Sequence, residues 1–185
     1  METDQNLRHL VNAARRGDRD AWEQLLDSLY PRLRAFVARR VPASEIEDTV
    51  SETMTRAVAG IGRFQPGPAG FDGWVFGIAR NLVADHFRVS TREHRYVMAG
   101  NMAPPGAADL PDDSLDLWEN HAQLRRCFVM LSEGDRELLE LRVIAGLSSE
   151  QVAALLSKRP GAVRSAQSRA LARLRQLMEQ DDAGS

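Results

Sequence analysis

Residues 141–175, LRVIAGLSSEQVAALLSKRPGAVRSAQSRALARLR, spell two short helices joined by a tight turn, the second of them densely basic. Ser148 is placed to cap the first helix, and Gln151 completes a capping box. Each side chain of such a box satisfies a backbone N–H that the first turn leaves without a helical partner. Val152, Ala153, Leu155 and Leu156 supply the apolar face of this helix, and Ser157-Lys158-Arg159 forms the turn after it. Pro160 then stands in the first turn of the second helix, where a missing N–H costs nothing. Small or apolar residues recur at helical spacing through Val163, Ala166, Ala170, Leu171, Leu174 and Leu177. Between them lie Arg164, Ser165, Ser168, Arg169, Arg173 and Arg175, and no acidic residue occurs from Gly161 to Met178. A helix that lies beside phosphates has this composition, because arginine donates to backbone oxygens or to the O6/N7 edge of guanine. A solvated basic face on an ordinary helix is the alternative. The capped helix and short turn ahead of it favour a DNA-binding helix-turn-helix.

Composition bounds the rest. With 43% hydrophobic residues the 185-residue chain can bury the core of one domain or two small ones. Aromatics make up only 6% and β-branched runs between turn signals are scarce, which predicts an all-α fold. The formal net charge of −2 hides an uneven distribution: no Lys or Arg falls between Arg95 and Arg125, while Asp109, Asp112, Asp113, Asp116 and Glu119 all do. Cys127 is the single cysteine, set in an apolar helical pattern, and reads as a buried thiol. The N-terminal stretch lacks the apolar core of a secretory signal, and no run is long enough to cross a bilayer. A cytoplasmic protein without membrane insertion is expected. There is no phosphate-binding glycine loop, HExxH, nucleophile elbow or metal-spaced His/Cys set. No catalytic residues, cofactor or metal are therefore expected.

Ahead of the basic helix the chain reads as further helices. Leu7, Leu10, Val11 and Ala14 share one face of the first, which Gly17-Asp18 ends. The second runs through Trp22, Leu25, Leu26, Leu29, Leu33, Phe36 and Val37, with a kink expected at Pro31. Ser44-Glu45-Ile46-Glu47 has the pattern of a capping box opening a third helix, with Ile46, Val50, Met54, Ala57 and Val58 inward and Glu45, Asp48, Glu52 and Arg56 outward. The stretch from Gly60 to Gly70 holds too many glycines and prolines for a regular element. FDGWVFGIARNLVADHFR, residues 71–88, is a fourth helix whose aromatics beside arginines form either a core stripe with snorkelling charges or a platform for unstacked bases; spacing favours the core. A Pro-rich acidic linker, a helix from about Ser114 to Met130, and a helix capped by Ser132 with Asp135 and closed by Gly146 complete the chain.

In this order the blocks resemble the extracytoplasmic-function (ECF) group of bacterial sigma factors. GDRDAWEQLLDSLYPRLRAFVARR looks like the start of sigma region 2, and IEDTVSETMTRA is similar to the family's polymerase-binding helix. FDGWVFGIARNLVADHFR resembles the part that handles the downstream (−10) promoter element, and the segment from Leu131 to Arg175 resembles region 4, which binds the upstream (−35) element. The resemblance implies two small helical domains: region 2 over residues 1–92, a linker over 93–113, region 4 over 114–178, and a frayed tail over 179–185. It implies a promoter-specificity subunit whose partners are core RNA polymerase, promoter DNA and an anti-sigma factor.

Residue by residue, the resemblance assigns Asp48, Glu52 and Arg56 to polymerase binding. It brings Phe64, Gln65, Phe71, Asn81, Asp85 and Arg88 to the downstream element. Arg142, Lys158, Arg159, Arg164, Ser165, Ser168, Arg169 and Arg173 fall to the upstream one. The linker aspartates Asp109, Asp112, Asp113 and Asp116 are implied to thread a basic channel of the polymerase, a plain spacer being the alternative. Three departures stand out. Gly77-Ile78 occupy the place of the tryptophan pair with which housekeeping sigma factors wedge the duplex open, which leaves Trp74 as core. Ala162 replaces a usual threonine, and Ala166-Gln167 replace a usual arginine and leucine, so base preference there is not inherited. The rival reading is a stand-alone helix-turn-helix regulator, which would leave IEDTVSETMTRA and the fourth helix without work.

Overall fold

The computed structural model describes residues 2–94 and 115–183, with side chains over 5–86 and 122–183. Among these residues the regular elements are helices, and the chain divides into two compact units, Met1–Ala107 and Ala108–Ser185. The all-α fold expected from composition and periodicity, and the two helical domains that the resemblance implies, are what is observed.

The first unit is built from α1 (Glu2–Arg15), α2 (Arg19–Val37), α3 (Ile46–Gly60) and α4 (Gly70–His94). Gly17 adopts φ +89 between the first two helices, and Asp18 caps α2 by accepting from the Ala21 N–H at 3.1 Å. Leu25, Leu29, Leu33, Phe36 and Val37 of α2 are buried against Val50 and Ala57 of α3 and Val75, Phe76, Ala79 and Val83 of α4. Phe36 meets Phe76 edge to face at 5.5 Å, the arrangement that aligns a ring's positive edge with its neighbour's negative face. Arg32 donates to Asp72 at 2.7 Å and ties α2 to the start of α4. Pro31 does not break α2, which runs on to Val37. It lies on the exposed face, where water can serve the carbonyl whose helical partner it removes.

Two local expectations are corrected here. Ser44 does not cap α3: a 3₁₀ turn over Ala43–Glu45 leads into the helix, and the N-cap residue Glu45 makes no side-chain cap bond. Glu47 turns outward instead, accepting from Arg34 at 2.8 Å and from the Tyr30 hydroxyl at 2.9 Å, so it is not available to reach back to Ser44. Val58, read as core, is 44% exposed, and Thr53 is the buried residue on that face, its hydroxyl donating to the Thr49 carbonyl at 2.7 Å.

The second unit holds α5 (Leu115–Val129), α6 (Glu133–Leu139), α7 (Ser149–Leu155) and α8 (Pro160–Ala183), and α8 packs on the other three. Ser132 caps α6 by accepting from Asp135 N–H at 3.2 Å. The expected continuous helix to Gly146 widens after Leu139 into a π turn over Glu140–Ile144, with the Ala145 N–H donating to the Glu140 carbonyl at 2.8 Å. The extra residue in that turn carries Val143 outward, where it is 60% exposed rather than core. Gly146, at φ +65, then reverses the chain. Leu131, Leu139 and Ala170 form a core cluster with Phe128, Leu174 and Leu177 packed against it, while Leu171 is 40% exposed, against expectation. Residues 179–183, expected to fray, are the last turns of α8. Asp181 accepts from Arg126 at 2.7 Å, and the buried Gln123 amide donates to the Met178 carbonyl at 3.1 Å and to Asp182.

Candidate nucleic-acid and polymerase interfaces

The helix-turn-helix forms as the sequence spells it. Ser148 accepts from Gln151 N–H at 3.1 Å while the Gln151 side chain accepts from Ser148 N–H at 2.7 Å, the full capping box. Ser157 takes φ +54, the left-handed turn that ends α7, and Pro160 opens α8. Val152, Ala153 and Val163 are buried between the two helices. Arg164, Ser165, Ser168 and Arg169 share one exposed face of α8, and Lys158 and Arg159 are exposed in the turn before it. Arg164 donates to Glu150 at 3.3 Å across the motif. The Glu150 carboxyl is held below its ordinary range, first by its own backbone N–H at the helix start, then by Ser148 and the two arginines Arg164 and Arg142.

One upstream-element assignment changes. Arg142 is half-buried and used inside the fold: its Nε donates to Gln167 Oε1 at 2.8 Å and its Nη1 to the Leu147 carbonyl. Arg173 donates to Asp135 on α6 at 3.3 Å and, like Arg164, keeps its side chain about 60% exposed.

In the first unit the loop between α3 and α4 divides the expected residues. Phe64 and Phe71 are 6% and 3% exposed, ring centroids 5.7 Å apart, and both lie against Trp74 at 5.1 and 5.8 Å; Trp22 closes the cluster on Phe71 at 6.4 Å. They are core and offer no stacking surface, which corrects their assignment to the downstream element. Gly60 belongs to the same packing, since a Cβ there would lie 3.1 Å from the Trp74 ring. Gln65, Asn81 and Asp85 remain exposed. His86 Nδ1 stands 2.7 Å from the Glu45 carboxylate and links α4 to the start of α3. The Arg88 side chain and residues 95–114, with Asp109, Asp112 and Asp113, lie outside the described residues, as does the Asp116 side chain.

On α3, Asp48, Glu52 and Arg56 are exposed in one stripe, with Arg56 donating to Glu52 at 2.6 Å. Beside this stripe runs an open groove lined by Tyr30, Glu47, Val50, Ser51, Met54, Thr55, Val58 and Ala59. Sequence reasoning missed it, because Tyr30 comes from α2 and only the packing of α2 on α3 makes the two neighbours. The one available signal was Val58, apolar on what proves an exposed face. Arg34 and then Tyr30 hold the Glu47 carboxyl below the ordinary glutamate range, and the same bond to Glu47 raises the Tyr30 hydroxyl above the ordinary tyrosine range.

Residues 25–93 match the family model of sigma-70 region 2, and residues 121–174 that of sigma-70 region 4. The chain is 36% identical over 185 residues to the ECF RNA polymerase sigma factor ShbA of Streptomyces griseus, covering 92% of this chain and 94% of that protein. It is 33% identical over 177 residues to the ECF RNA polymerase sigma factor BldN of Streptomyces coelicolor, covering 95% and 67% respectively. Among solved structures it is similar to the sigma factor RpoE in complex with the anti-sigma factor NepR from Bartonella quintana, with a TM-score of 0.69, 30% identity and coverage of 85% of this chain and 96% of that one.

Proposed function

The chain belongs to the extracytoplasmic-function group of bacterial RNA polymerase sigma factors, and from that premise we propose that it binds core polymerase and directs promoter-specific initiation through two helical domains. The observation that carries this reading is the presence in one chain of a helix-turn-helix, with a full capping box on α7 and no acidic residue in α8 from Gly161 to Met178, and of a separate region 2 unit. A lone operator-binding protein has no use for the second.

Arg164, Ser165, Ser168 and Arg169 meet the upstream element, with Lys158, Arg159 and Arg173 on its phosphates. Gln65, Asn81, Asp85 and Arg88 meet the downstream one. Asp48, Glu52 and Arg56, continued by the groove at Tyr30 and Val58, take the polymerase. The domain limits are 1–92, 93–113 and 114–183, with Asp109, Asp112 and Asp113 of the linker in a polymerase channel. The chain itself performs no chemistry, since the polymerase makes the phosphodiester bond. It works in the cytoplasm, at the nucleoid when in holoenzyme, and is held by an anti-sigma factor, as its structural relative is held by NepR.

Purified chain added to sigma-free core polymerase on a genomic fragment library tests this, with RNA 5′ ends sequenced. Starts that depend on the chain and share two spaced upstream motifs are expected. No such starts, together with tight binding of the chain alone to duplex DNA, would overturn the reading in favour of a stand-alone regulator.

A further inference from the structure

Gln167 stands in α8 one turn on from Arg164, and Arg142 reaches it from the π turn. Which way the Gln167 amide points is decided by chemistry. Arginine has donors and no acceptor, so Arg142 Nε, at 2.8 Å, requires the oxygen of Gln167 to face it. The Gln167 nitrogen is thereby turned away from Arg142, presenting only N–H donors.

Arg142 is constrained in turn. A guanidinium grips a base edge or a phosphate bidentately through Nε with Nη2, or through Nη1 with Nη2. Nε is committed to Gln167, which removes the Nε–Nη2 fork, and one of the two N–H groups of Nη1 is taken by the Leu147 carbonyl. Through Arg142 the π turn is tied both to the loop at Leu147 and to the middle of α8.

We propose that Gln167 is a specificity-determining residue of the upstream-element interface, fixed by Arg142 as a donor-only reader, and that Arg142 is a positioning residue rather than a DNA contact. This rests on the sigma-factor reading above. A glutamine free to turn pairs bidentately with adenine, offering its oxygen to N6 and its nitrogen to N7. Gln167 lacks the free oxygen and is restricted to a base acceptor, such as guanine O6, guanine N7 or thymine O4.

The test uses holoenzyme assembled from the full chain and core polymerase, on the promoter recovered from the start-site map, with every base pair of the upstream element varied in turn. Gln167→Glu keeps an acceptor for Arg142 and removes the N–H donor. It is expected to weaken promoter binding about tenfold or more. Loss confined to one base pair identifies the base acceptor; equal loss on all duplexes, which a phosphate contact or the added charge alone would give, overturns the specificity role. In the base case Arg142→Ala frees the amide to turn, so preference at that same pair shifts toward adenine, and Arg142→Ala with Gln167→Leu loses the shift. Should Arg142→Ala fail to fold for want of its Leu147 bond, Gln167→Glu and Gln167→Leu leave that bond intact and carry the test alone. Wild-type binding by Gln167→Glu overturns the proposal, as does an Arg142→Ala variant that relaxes discrimination at a pair the Gln167 variants leave untouched. A wild-type chain that supports no initiation is a different result, and counts against the family-level reading instead.

Discussion

Arg126 on α5 donates to Asp181 in the last turns of α8 at 2.7 Å, fastening the chain's final helical residues to the opening helix of the second unit. The contact lies beyond the end of the family match at residue 174. As an exposed pair it contributes little by itself, since solvent screens it. Its neighbour matters more. Gln123 is 8% exposed, and its amide nitrogen donates to Met178 and Asp182. Removing residues 179–185 leaves that buried donor short of a partner, at a cost of about 1–3 kcal/mol. Urea unfolding of the truncated chain checks this, and a midpoint equal to that of the full chain would return residues 179–183 to the status of a frayed tail.

Ser148→Ala removes one half of the capping box and is expected to destabilise the second unit by about 1 kcal/mol. Because α7 sets the seat of α8, upstream-element binding should weaken on all sequences alike. Hydrogen exchange at the Gln151 amide, which donates to Ser148 Oγ, reports the cap directly and should quicken in the variant.

Phe71 and Gln65 separate core from surface in the loop region. Phe71 is 3% exposed within its aromatic cluster, so Phe71→Ala should cost about 3–5 kcal/mol of stability. Gln65 is exposed, and Gln65→Ala should leave the melting curve unchanged while reducing open-complex formation. Permanganate footprinting beside calorimetry distinguishes the two; stable protein from Phe71→Ala with only a melting defect would reinstate the ring as a base platform.

Glu47 makes a pH-dependent contribution. Its folded carboxyl lies below the ordinary value near 4.5, chiefly through the bond from Arg34. A lowered folded value stabilises at pH above the unfolded value, and the contribution disappears as pH falls through the folded one. The stability gap between the wild type and Glu47→Gln should therefore be constant near neutrality and close as pH drops below about 4.5. A gap that persists at the acid end would mean that the ionised carboxylate is not its source.

Much of the fold could be read in the linear chain because helices are local objects. The period of Leu25, Leu29, Leu33 and Phe36 determined which face of α2 is buried, and Ser148 with Gln151 marked the start of α7 within a single turn. The family resemblance followed from the order of such segments. Where reading failed, the cause was a partner distant in sequence. Ser44 with Glu47 has the pattern of a capping box, but Tyr30 and Arg34, on another helix, compete for the same carboxylate and win. Phe64 and Phe71 border a loop in sequence and a core in space.

By itself the sequence determined where the helices lie, the capped helix-turn-helix and the charge carried by its second helix, all set within about four residues, while packing left Val58, Val143 and Leu171 exposed. Tertiary structure decided which charged side chains remain available to a partner. Arg142, Arg164 and Arg173 look alike along the chain, yet one is spent on Gln167 and Leu147, one crosses to Glu150 and one turns to Asp135. A guanidinium satisfies its donors with whatever acceptors packing brings within reach, and those acceptors lie between 5 and 38 residues away in the chain.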